Sequence, residues 1–327
     1  MILAGDVGGT KTVVALYESG NAGLRAVRES VYPAREHASL EEIVGIFLDE
    51  GPAVSIEAAC FGVAGPVING RVSTTNLPWE IDEASLARAT GARRSKLLND
   101  LEAMAYGMLG LDDEEFALLS PGAEPPPTGN AVVIAAGTGL GQALLVWDGE
   151  RHLPVATEGG HTGFAPRSEQ EVELLRFLSA EFGSHVSYER ILSGPGLHNL
   201  YRFLRASGGG PEAAWLAERI GAEDPSAVIG EVGVAGRDPV CAASVELFAS
   251  IYGAQAGNLA LTALAVGGVF VGGGIAPKLL PVLQGGAFVH AFTDKGRFSA
   301  LLEAIPVRVA LTPRTPVLGA ARYAAEL

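Results

Sequence analysis

The sequence is poor in cysteine and in charged residues, and each shortage excludes a class of protein. Its 327 residues include only two cysteines, Cys60 and Cys241, both in apolar surroundings. We therefore expect buried free thiols, and neither a disulfide framework nor a cysteine metal cluster. Charged residues make up 18% of the chain, and the net charge is −14. Because nucleic-acid phosphates are bound by clustered basic residues, we expect no nucleic-acid partner.

The sequence also lacks the features of an exported or membrane protein. The N-terminus has no basic region followed by a long apolar run, so no signal peptide is expected. The stretch 247–277 carries no charge, but polar residues and glycines interrupt it. We interpret it as a buried helix followed by a buried strand rather than as a membrane span. We therefore expect a cytoplasmic protein with no membrane partner, and the chain length suggests about two domains.

A glycine-rich turn stands close to the start of the chain. An apolar run reaches Asp6, then come Gly8, Gly9, Thr10 and Lys11, and a second apolar run follows. This pattern predicts a hairpin whose exposed N–H groups favour a phosphate. A hydrated Mg²⁺ between Asp6 and the phosphate would remove the repulsion between their like charges. An ordinary hairpin with a solvated lysine fits the same residues.

The same order of strand, turn and strand recurs later in the chain. This indicates an internal duplication of the structural arrangement, although the residues themselves are not repeated. A strand predicted over 130–136 leads into a turn that contains Gly137, Thr138 and Gly139, and a strand over 142–147 follows. Facing each other, two such turns would hold a triphosphate from both sides.

A third glycine bend contains Gly273 and Gly274. It lies between a predicted buried strand and a helix that we expect to start at Pro277. Backbone without side chains lets a flat nucleoside lie close, and a helix N-terminus favours anions. Three bends at strand ends predict a nucleotide cleft between two domains.

Asn99 and Asp100 follow a predicted strand and precede a predicted helix. Functional groups at strand ends project into a crevice in α/β folds. Asp100 is therefore a candidate general base that accepts the proton of an alcohol attacking a phosphoryl group. The alternative is that Asp100 only caps the N-terminus of the helix, a common role for aspartate.

Glu158 and His161 flank two glycines in a predicted loop, and Glu189 follows after a helix. Carboxylates and an imidazole recognise sugar hydroxyls through paired hydrogen bonds. Two other interpretations remain open. One is a zinc site, which lacks a second histidine or cysteine at ligand spacing. The other is a loop histidine that bonds only to its neighbours.

The predicted element order is βββαβαβα for the first part of the chain, which is an α/β unit. The proline-rich segment 114–129, which includes Pro125 and Pro126, is our candidate inter-domain region.

With these motifs, the chain resembles the bacterial ATP-dependent glucokinases of the hexokinase type nearly end to end. The segments that carry the resemblance are 6–10, 98–100, 137–141, 158–161, 164–166, 189–196, 257–261, 272–275 with Pro277, and 292–298. The segment 189–196 is long and specific, whereas the glycine turns are shared by the whole hexokinase, actin and heat-shock ATPase superfamily.

The resemblance implies a two-domain ribonuclease-H-like α/β fold, with the active site in a cleft between a small α/β domain and a larger α+β domain. The implied domains are 1–110, to which a helix at about 313–327 returns, and 111–312. The implied cofactors are ATP and Mg²⁺, with Asp6 acting on Mg²⁺ through water. The implied ATP-binding residues are Asp6, Gly8, Gly9, Thr10, Lys11, Gly137, Thr138, Gly139, Gly273 and Gly274. The implied glucose-binding residues are Asn99, Asp100, Glu158, His161 and Glu189.

The implied reaction is phosphorylation of the glucose 6-hydroxyl with Asp100 as base, by an enzyme that is typically a homodimer. The related repressor/open-reading-frame/kinase family carries a cysteine-rich zinc segment, which the cysteine positions exclude here. Two roles remain open for Lys11: its side chain contacts a phosphate, or it contacts only solvent. A kinase for fructose, mannose or an N-acetylated sugar fits the same loop, and a sugar-responsive regulator or an actin-like ATPase is a more distant alternative.

Overall fold

The computed structural model describes residues 1–20, 23–74, 77–124 and 127–327. These residues form two compact units. Unit 1 comprises 1–115 and 312–327, and unit 2 comprises 116–311. Pro125 and Pro126 of the predicted inter-domain segment lie outside the described residues, as do residues 75 and 76.

The secondary structure follows in chain order. The strands are β1 Ile2–Val7, β2 Lys11–Gly20, β3 Gly23–Pro33, β4 Ala58–Val63, β5 Arg71–Ser73, β6 Glu80–Asp82, β7 Arg94–Asn99, β8 Phe116–Ser120, β9 Ala131–Ala136, β10 Leu140–Trp147, β11 His152–Thr157, β12 Gly268–Gly272 and β13 Val307–Ala310. The helices are α1 Leu40–Asp49, α2 Glu83–Thr90, α3 Asp100–Met108, α4 Glu169–Phe182, α5 Gly194–Ala206, α6 Ala214–Ala222, α7 Pro225–Val234, α8 Pro239–Ala263, α9 Leu280–Leu283, α10 Ala287–Thr293, α11 Ser299–Glu303 and α12 Thr315–Glu326.

Both units contain the same arrangement of five strands. In unit 1 the order is β3-β2-β1-β4-β7, where β1 to β3 are antiparallel and β4 and β7 run parallel to β1. In unit 2 the order β11-β10-β9-β12-β13 repeats this plan, and β8 adds an antiparallel edge. The predicted internal duplication is confirmed, and it extends from one hairpin to a whole sheet.

Helices cover both faces of the unit 1 sheet. On one face, α1 buries Leu40, Ile43, Val44 and Phe47, the i, i+3, i+4, i+7 spacing of an amphipathic helix. On the other face, small residues of α3 and α12 pack beside the strands. A side chain at Gly319 of α12 would place its Cβ 1.7 Å from a backbone oxygen of α3. The two helices are therefore in backbone contact, and this contact fixes α3.

The core of unit 2 is built around α8. This helix of 25 residues is followed by the buried strand β12, so the interpretation of 247–277 as a buried helix and a buried strand is confirmed. No helix in the described part of the chain combines the length and apolar character needed to cross a membrane.

Several elements differ from the predictions. The segment 114–129 is not simply a surface linker, because Phe116–Ser120 pairs with β13 as the edge strand β8. The helix expected at Pro277 begins at Leu280 and has only 4 residues, and turns occupy the positions before it. The Gly273–Gly274 bend therefore has no helix N-terminus directly after it. Short elements at sheet edges and between helices, β5, β6, β11, α10 and α11, were not predicted.

Candidate active site

The first glycine turn connects β1 and β2. The Gly8 N–H donates to the Lys11 carbonyl at 3.0 Å, and the Ala34 N–H donates to the Thr10 carbonyl at 3.0 Å. The side chains of Thr10 and Lys11 are exposed. The predicted hairpin is confirmed, and it presents a threonine hydroxyl and an ammonium group to solvent.

Asp6 lies one residue before the end of β1, opposite Gly62 of β4. Its carboxyl group is partly buried. Burial raises its pKa from 3.8 to about 6, the negative charge of Asp100 adds to this rise, and the ammonium group of Lys11 opposes it. The two aspartates are therefore close enough to repel each other. A cation beside them would relieve that repulsion.

Asp100 is the first residue of α3, and Asn99 is the capping residue before it. The Leu101 N–H donates to Asn99 Oδ1 at 3.0 Å and to Asp100 Oδ1 at 2.8 Å. Asn99 Nδ2 donates to the Gly65 carbonyl at 3.1 Å. The alternative in which Asp100 is the helix cap is wrong, because Asn99 occupies that position. Asn99 also ties α3 to the loop after β4, so the position of Asp100 is fixed on two sides.

The second glycine turn connects β9 and β10 in unit 2. The Gly137 N–H donates to the Gly139 carbonyl at 2.8 Å, and the Gly194 N–H donates to the Gly137 carbonyl at 2.8 Å. Gly194 is the first residue of α5, whose capping residue is Ser193. The positive end of a helix of 13 residues thus lies at this turn. The sequence prediction missed this, although a capping serine before Gly-Pro-Gly is a recognisable helix start.

The third glycine bend meets the second. A side chain at Gly273, where φ is 82°, would place its Cβ 2.2 Å from the Ala136 carbonyl oxygen. The Ile275 N–H donates to the same carbonyl at 3.3 Å. Gly274 is exposed, with nothing within 4 Å of a Cβ at that position. The structure therefore brings Gly273 and Gly274 to the turn that begins at Gly137.

Glu158, His161 and Glu189 lie together in unit 2. His161 Nε2 is 3.9 Å from Glu158 Oε2, and His161 Nδ1 is 3.9 Å from Glu189 Oε1. The other oxygen of Glu189, Oε2, accepts a hydrogen bond from the Leu140 N–H at 3.0 Å. Leu140 directly follows the second glycine turn, so this cluster is joined to that turn by one hydrogen bond. The sequence prediction named the three polar residues but not this link.

The loop that contains Glu158 and His161 packs closely on β10. Residues 159–161 form a 3₁₀ turn. A Cβ at Gly160 would lie 1.9 Å from the Leu140 carbonyl oxygen. In the described residues, no group of three or more histidine, cysteine, aspartate or glutamate side chains is arranged to hold a metal ion.

Comparison with known proteins decides the family. A family model described as Glucokinase matches residues 3–327. The chain belongs to the glucokinase family. A glucokinase from Nostoc punctiforme is 39% identical over an alignment of 340 positions, covering 100% of this chain and 99% of the relative. Family membership confirms the predicted resemblance and the predicted enzyme class, an ATP-dependent glucokinase.

Solved glucokinase structures confirm the fold class. A glucokinase from an Antarctic psychrotroph has a TM-score of 0.86 at 30% sequence identity, covering 100% of this chain and 99% of that one. A glucokinase of the ROK family from Streptomyces griseus, solved with glucose and AMPPNP, has a TM-score of 0.68 at 21% identity, covering 100% and 99%. The second likeness is one of fold alone.

Proposed function

We propose that this glucokinase transfers the terminal phosphoryl group of ATP to the 6-hydroxyl of D-glucose, giving glucose 6-phosphate and ADP. The observation that carries this proposal is the hydrogen bond from the Leu140 N–H to Glu189 Oε2. It links a cluster suited to sugar hydroxyls with a turn suited to phosphates. The glucose and AMPPNP bound to the Streptomyces griseus structure are an acceptor and a donor analogue of this kind.

Glu158, His161 and Glu189 would bind the hydroxyl groups of glucose, together with Asn99 and Asp100 of unit 1. The two glutamates accept hydrogen bonds and the histidine donates, so their site discriminates against sugars that lack a matching hydroxyl. Of these residues, Asn99 already uses Oδ1 and Nδ2 in bonds to its own unit. An amide has two donors and two acceptor lone pairs, so it retains capacity for one further bond of each kind.

Asp100 would accept the proton of the 6-hydroxyl as that oxygen attacks the phosphorus atom. Its place at the start of α3 is set by the Asn99 cap and by the packing of α3 on α12. A base held in this way needs little reorganisation during the reaction, which lowers the barrier to proton transfer.

The groups that would bind the ATP phosphates are the backbone and threonine groups of the two turns. In unit 1 these are Gly8, Gly9, Thr10 and Lys11. In unit 2 they are Gly137, Thr138 and Gly139, aided by the N-terminus of α5 and by Gly273 and Gly274 at the neighbouring bend. Turn N–H groups and a helix N-terminus both favour anions.

The residues of unit 1 fit a hydrated Mg²⁺. Burial and the negative charge of Asp100 raise the pKa of the Asp6 carboxyl group. A cation nearby would oppose both effects and favour the charged form of Asp6. Carboxylate oxygens with water and phosphate are the ligands that Mg²⁺ prefers. When bound, Mg²⁺ would neutralise charge on the phosphoryl oxygens. Asp6 would orient the water shell of the ion, and Lys11 would add a positive charge at the turn.

The Asp100→Ala variant tests the proposal. We expect kcat to fall by roughly 10²–10⁴, the typical contribution of a general base, while glucose still binds with reduced affinity. The measurement is a coupled assay of glucose 6-phosphate formation together with calorimetric titration of glucose. The matched control is Asp112→Ala, which removes an exposed aspartate of the same unit. Near-normal turnover in Asp100→Ala would remove Asp100 from the role of base.

A panel of sugars tests the substrate. We expect glucose to have the highest kcat/KM, above mannose, fructose and N-acetylglucosamine. A higher value for another hexose would assign this chain to that sugar instead. ATP hydrolysis stimulated by sugar without a phosphorylated product would indicate an ATPase of a different class. The resemblance also supports a cytoplasmic homodimer, and sedimentation of the purified protein tests the dimer.

A further inference from the structure

The segment 292–298 contributes to the family resemblance but has no part in the reaction proposed above. It contains Lys295, one of only four lysines in the chain. Lys295 Nζ donates to the Ala254 carbonyl at 3.0 Å and to Asn258 Oδ1 at 2.9 Å, both on α8. The side chain is partly buried, which is uncommon for lysine. Burial, followed by the positive charge of Arg167, lowers the pKa of Lys295.

The helix α8 makes room for this lysine. A Cβ at Gly257 would lie 2.7 Å from Lys295 Cε and 2.6 Å from the Phe292 carbonyl oxygen. Any residue other than glycine would therefore push Lys295 and α10 away from α8. The local sequence thus supplies both the ammonium group and the space through which its stem reaches Asn258.

Lys295 sets the orientation of the Asn258 amide. Lysine only donates hydrogen bonds, so the amide oxygen must face Nζ and the amide nitrogen must point away from it. In that orientation Asn258 Nδ2 donates to the Tyr188 hydroxyl at 3.3 Å and to Gln255 Oε1 at 3.2 Å. Without the ammonium group, Asn258 Oδ1 would lose the donor that faces it, and the hydrogen bond to Gln255 Oε1 would be the main contact left to orient the amide.

Tyr188 joins the two segments that carry the proposed sugar cluster, which consists of Glu158, His161 and Glu189. It opens the 3₁₀ turn Tyr188–Arg190, in which Glu189 is the next residue. Its N–H donates to the Thr162 carbonyl at 3.0 Å, and its ring packs edge-on against Phe164 at 5.5 Å between centroids. A shift of the Tyr188 side chain would therefore move Glu189 relative to His161.

We propose that Lys295 is a positioning residue for Glu189, acting through Asn258 and the Tyr188 hydroxyl. This inference rests on the proposed function, because it takes Glu189 as a ligand of the sugar. Lys295 does not touch the substrate. Its effect is to hold one carboxylate of the sugar cluster at the place where Oε2 also meets the Leu140 N–H.

The test is a pair of variants and their combination. Lys295→Met keeps a long unbranched side chain and removes the ammonium group, and Tyr188→Phe keeps the ring and removes the hydroxyl. We expect each to raise KM for glucose about tenfold, the value of about one lost hydrogen bond to a charged or oriented group. KM for MgATP should change less than about threefold on the same scale. If both act along one chain of contacts, the double variant raises KM for glucose no further than the larger single effect.

The matched control is Arg297→Met, which removes an exposed cation two residues away in the same segment. We expect its kinetics to equal those of the wild type. Unchanged KM for glucose in folded Lys295→Met, equal shifts for both substrates, or additive effects in the double variant would each overturn the proposal. If Lys295→Met does not fold, Tyr188→Phe alone decides, because its ring packing on Phe164 is retained.

Glu189→Gln in the same assay separates this inference from the proposed function. If Glu189→Gln raises KM for glucose and Lys295→Met does not, only the positioning role fails. If Glu189→Gln leaves KM for glucose unchanged, the assignment of Glu189 to the sugar site fails first.

Discussion

The two glycine turns share a strand plan and differ in the side chain that precedes them. In unit 1, β1 pairs with β2 and β4, and Asp6 lies opposite Gly62. In unit 2, β9 pairs with β10 and β12 in the same senses, and Ala135 lies opposite Gly272. Asp6 and Ala135 each stand one position before the last residue of their strands, β1 and β9. The backbone is therefore duplicated, but the carboxylate is present only in unit 1.

In unit 2, the carboxylate that contacts the glycine turn comes from a different part of the chain. Glu189 comes from a 3₁₀ turn, and its Oε2 accepts the N–H of Leu140. Asp6, in contrast, has a pKa raised by burial and by Asp100. One unit thus places a costly charge where a cation and a phosphoryl group would use it, whereas the other places hydrogen-bonding groups that suit a neutral sugar. Duplication of a fold does not require duplication of its chemistry.

Replacing Asp6 by alanine would give unit 1 the residue that unit 2 has at the matching position. We expect kcat to fall by roughly 10²–10³, comparable to the loss of one electrostatic group at a developing charge. KM for glucose should stay within about twofold, because the residues proposed to bind glucose lie in other segments. The measurement is steady-state kinetics at several Mg²⁺ concentrations.

The control for this substitution is Asp49→Ala, which removes an exposed aspartate at the end of α1. It should leave kcat unchanged. A variant at position 6 with wild-type turnover at every Mg²⁺ concentration would show that the turns are equivalent in chemistry as well as in backbone.

The elements that can be predicted most directly from the sequence have strong local signals. Ser39, Asp82 and Ser168 cap α1, α2 and α4 as their positions in the sequence indicate. The Asn69–Gly70 turn has φ values of 51° and 72°, and the residues flanking it exchange two backbone hydrogen bonds, as expected for a two-residue hairpin. Capping and turn preferences act within a few residues, so one sequence is sufficient to read them.

The elements that were missed depend on distant partners. β8 is an edge strand whose only strand neighbour is β13 in the described sheet, and its pairing is set by residues far along the chain. The same holds for the site. The Leu140–Glu189 hydrogen bond spans 49 positions in sequence. Glu189 and the glycine turn next to Leu140 were both identified, but their contact could not be inferred from local patterns.

The Gly139→Ala substitution tests whether the unit 2 turn acts through Glu189. A Cβ at this position would lie 2.5 Å from Glu189 Oε2, so the carboxylate must move away from the Leu140 N–H. We expect KM for glucose to rise about tenfold, the effect of losing one hydrogen bond to a charged group. Gly221→Ala, on α6 with nothing within 4 Å of the new Cβ, should leave KM for glucose unchanged. Equal KM values for Gly139→Ala and the wild type would mean that Glu189 is not held by this turn.

The smallest expected effect concerns the stability cost of the charge at Asp6. A folded-state pKa of about 6 against 3.8 means that the native state binds the proton more tightly than the unfolded state. Stability contributed by this group is therefore present below about pH 4, falls between about pH 4 and 6, and is lost above about pH 6. Asp6→Asn should stabilise the metal-free protein at pH 8 by on the order of 3 kcal/mol.

The stabilisation by Asp6→Asn should be smaller by about 1 kcal/mol at pH 5.5 than at pH 8, because the native carboxyl group is then mostly protonated. Urea unfolding at both pH values measures the difference, and pH 5.5 keeps the protein above its sequence pI of about 4.9. Since alanine already stands at the matching position of unit 2, no such pH dependence is expected from Ala135. A stabilisation independent of pH would mean that the charge at Asp6 carries no cost, and the contrast between the two turns would then be one of side-chain shape alone.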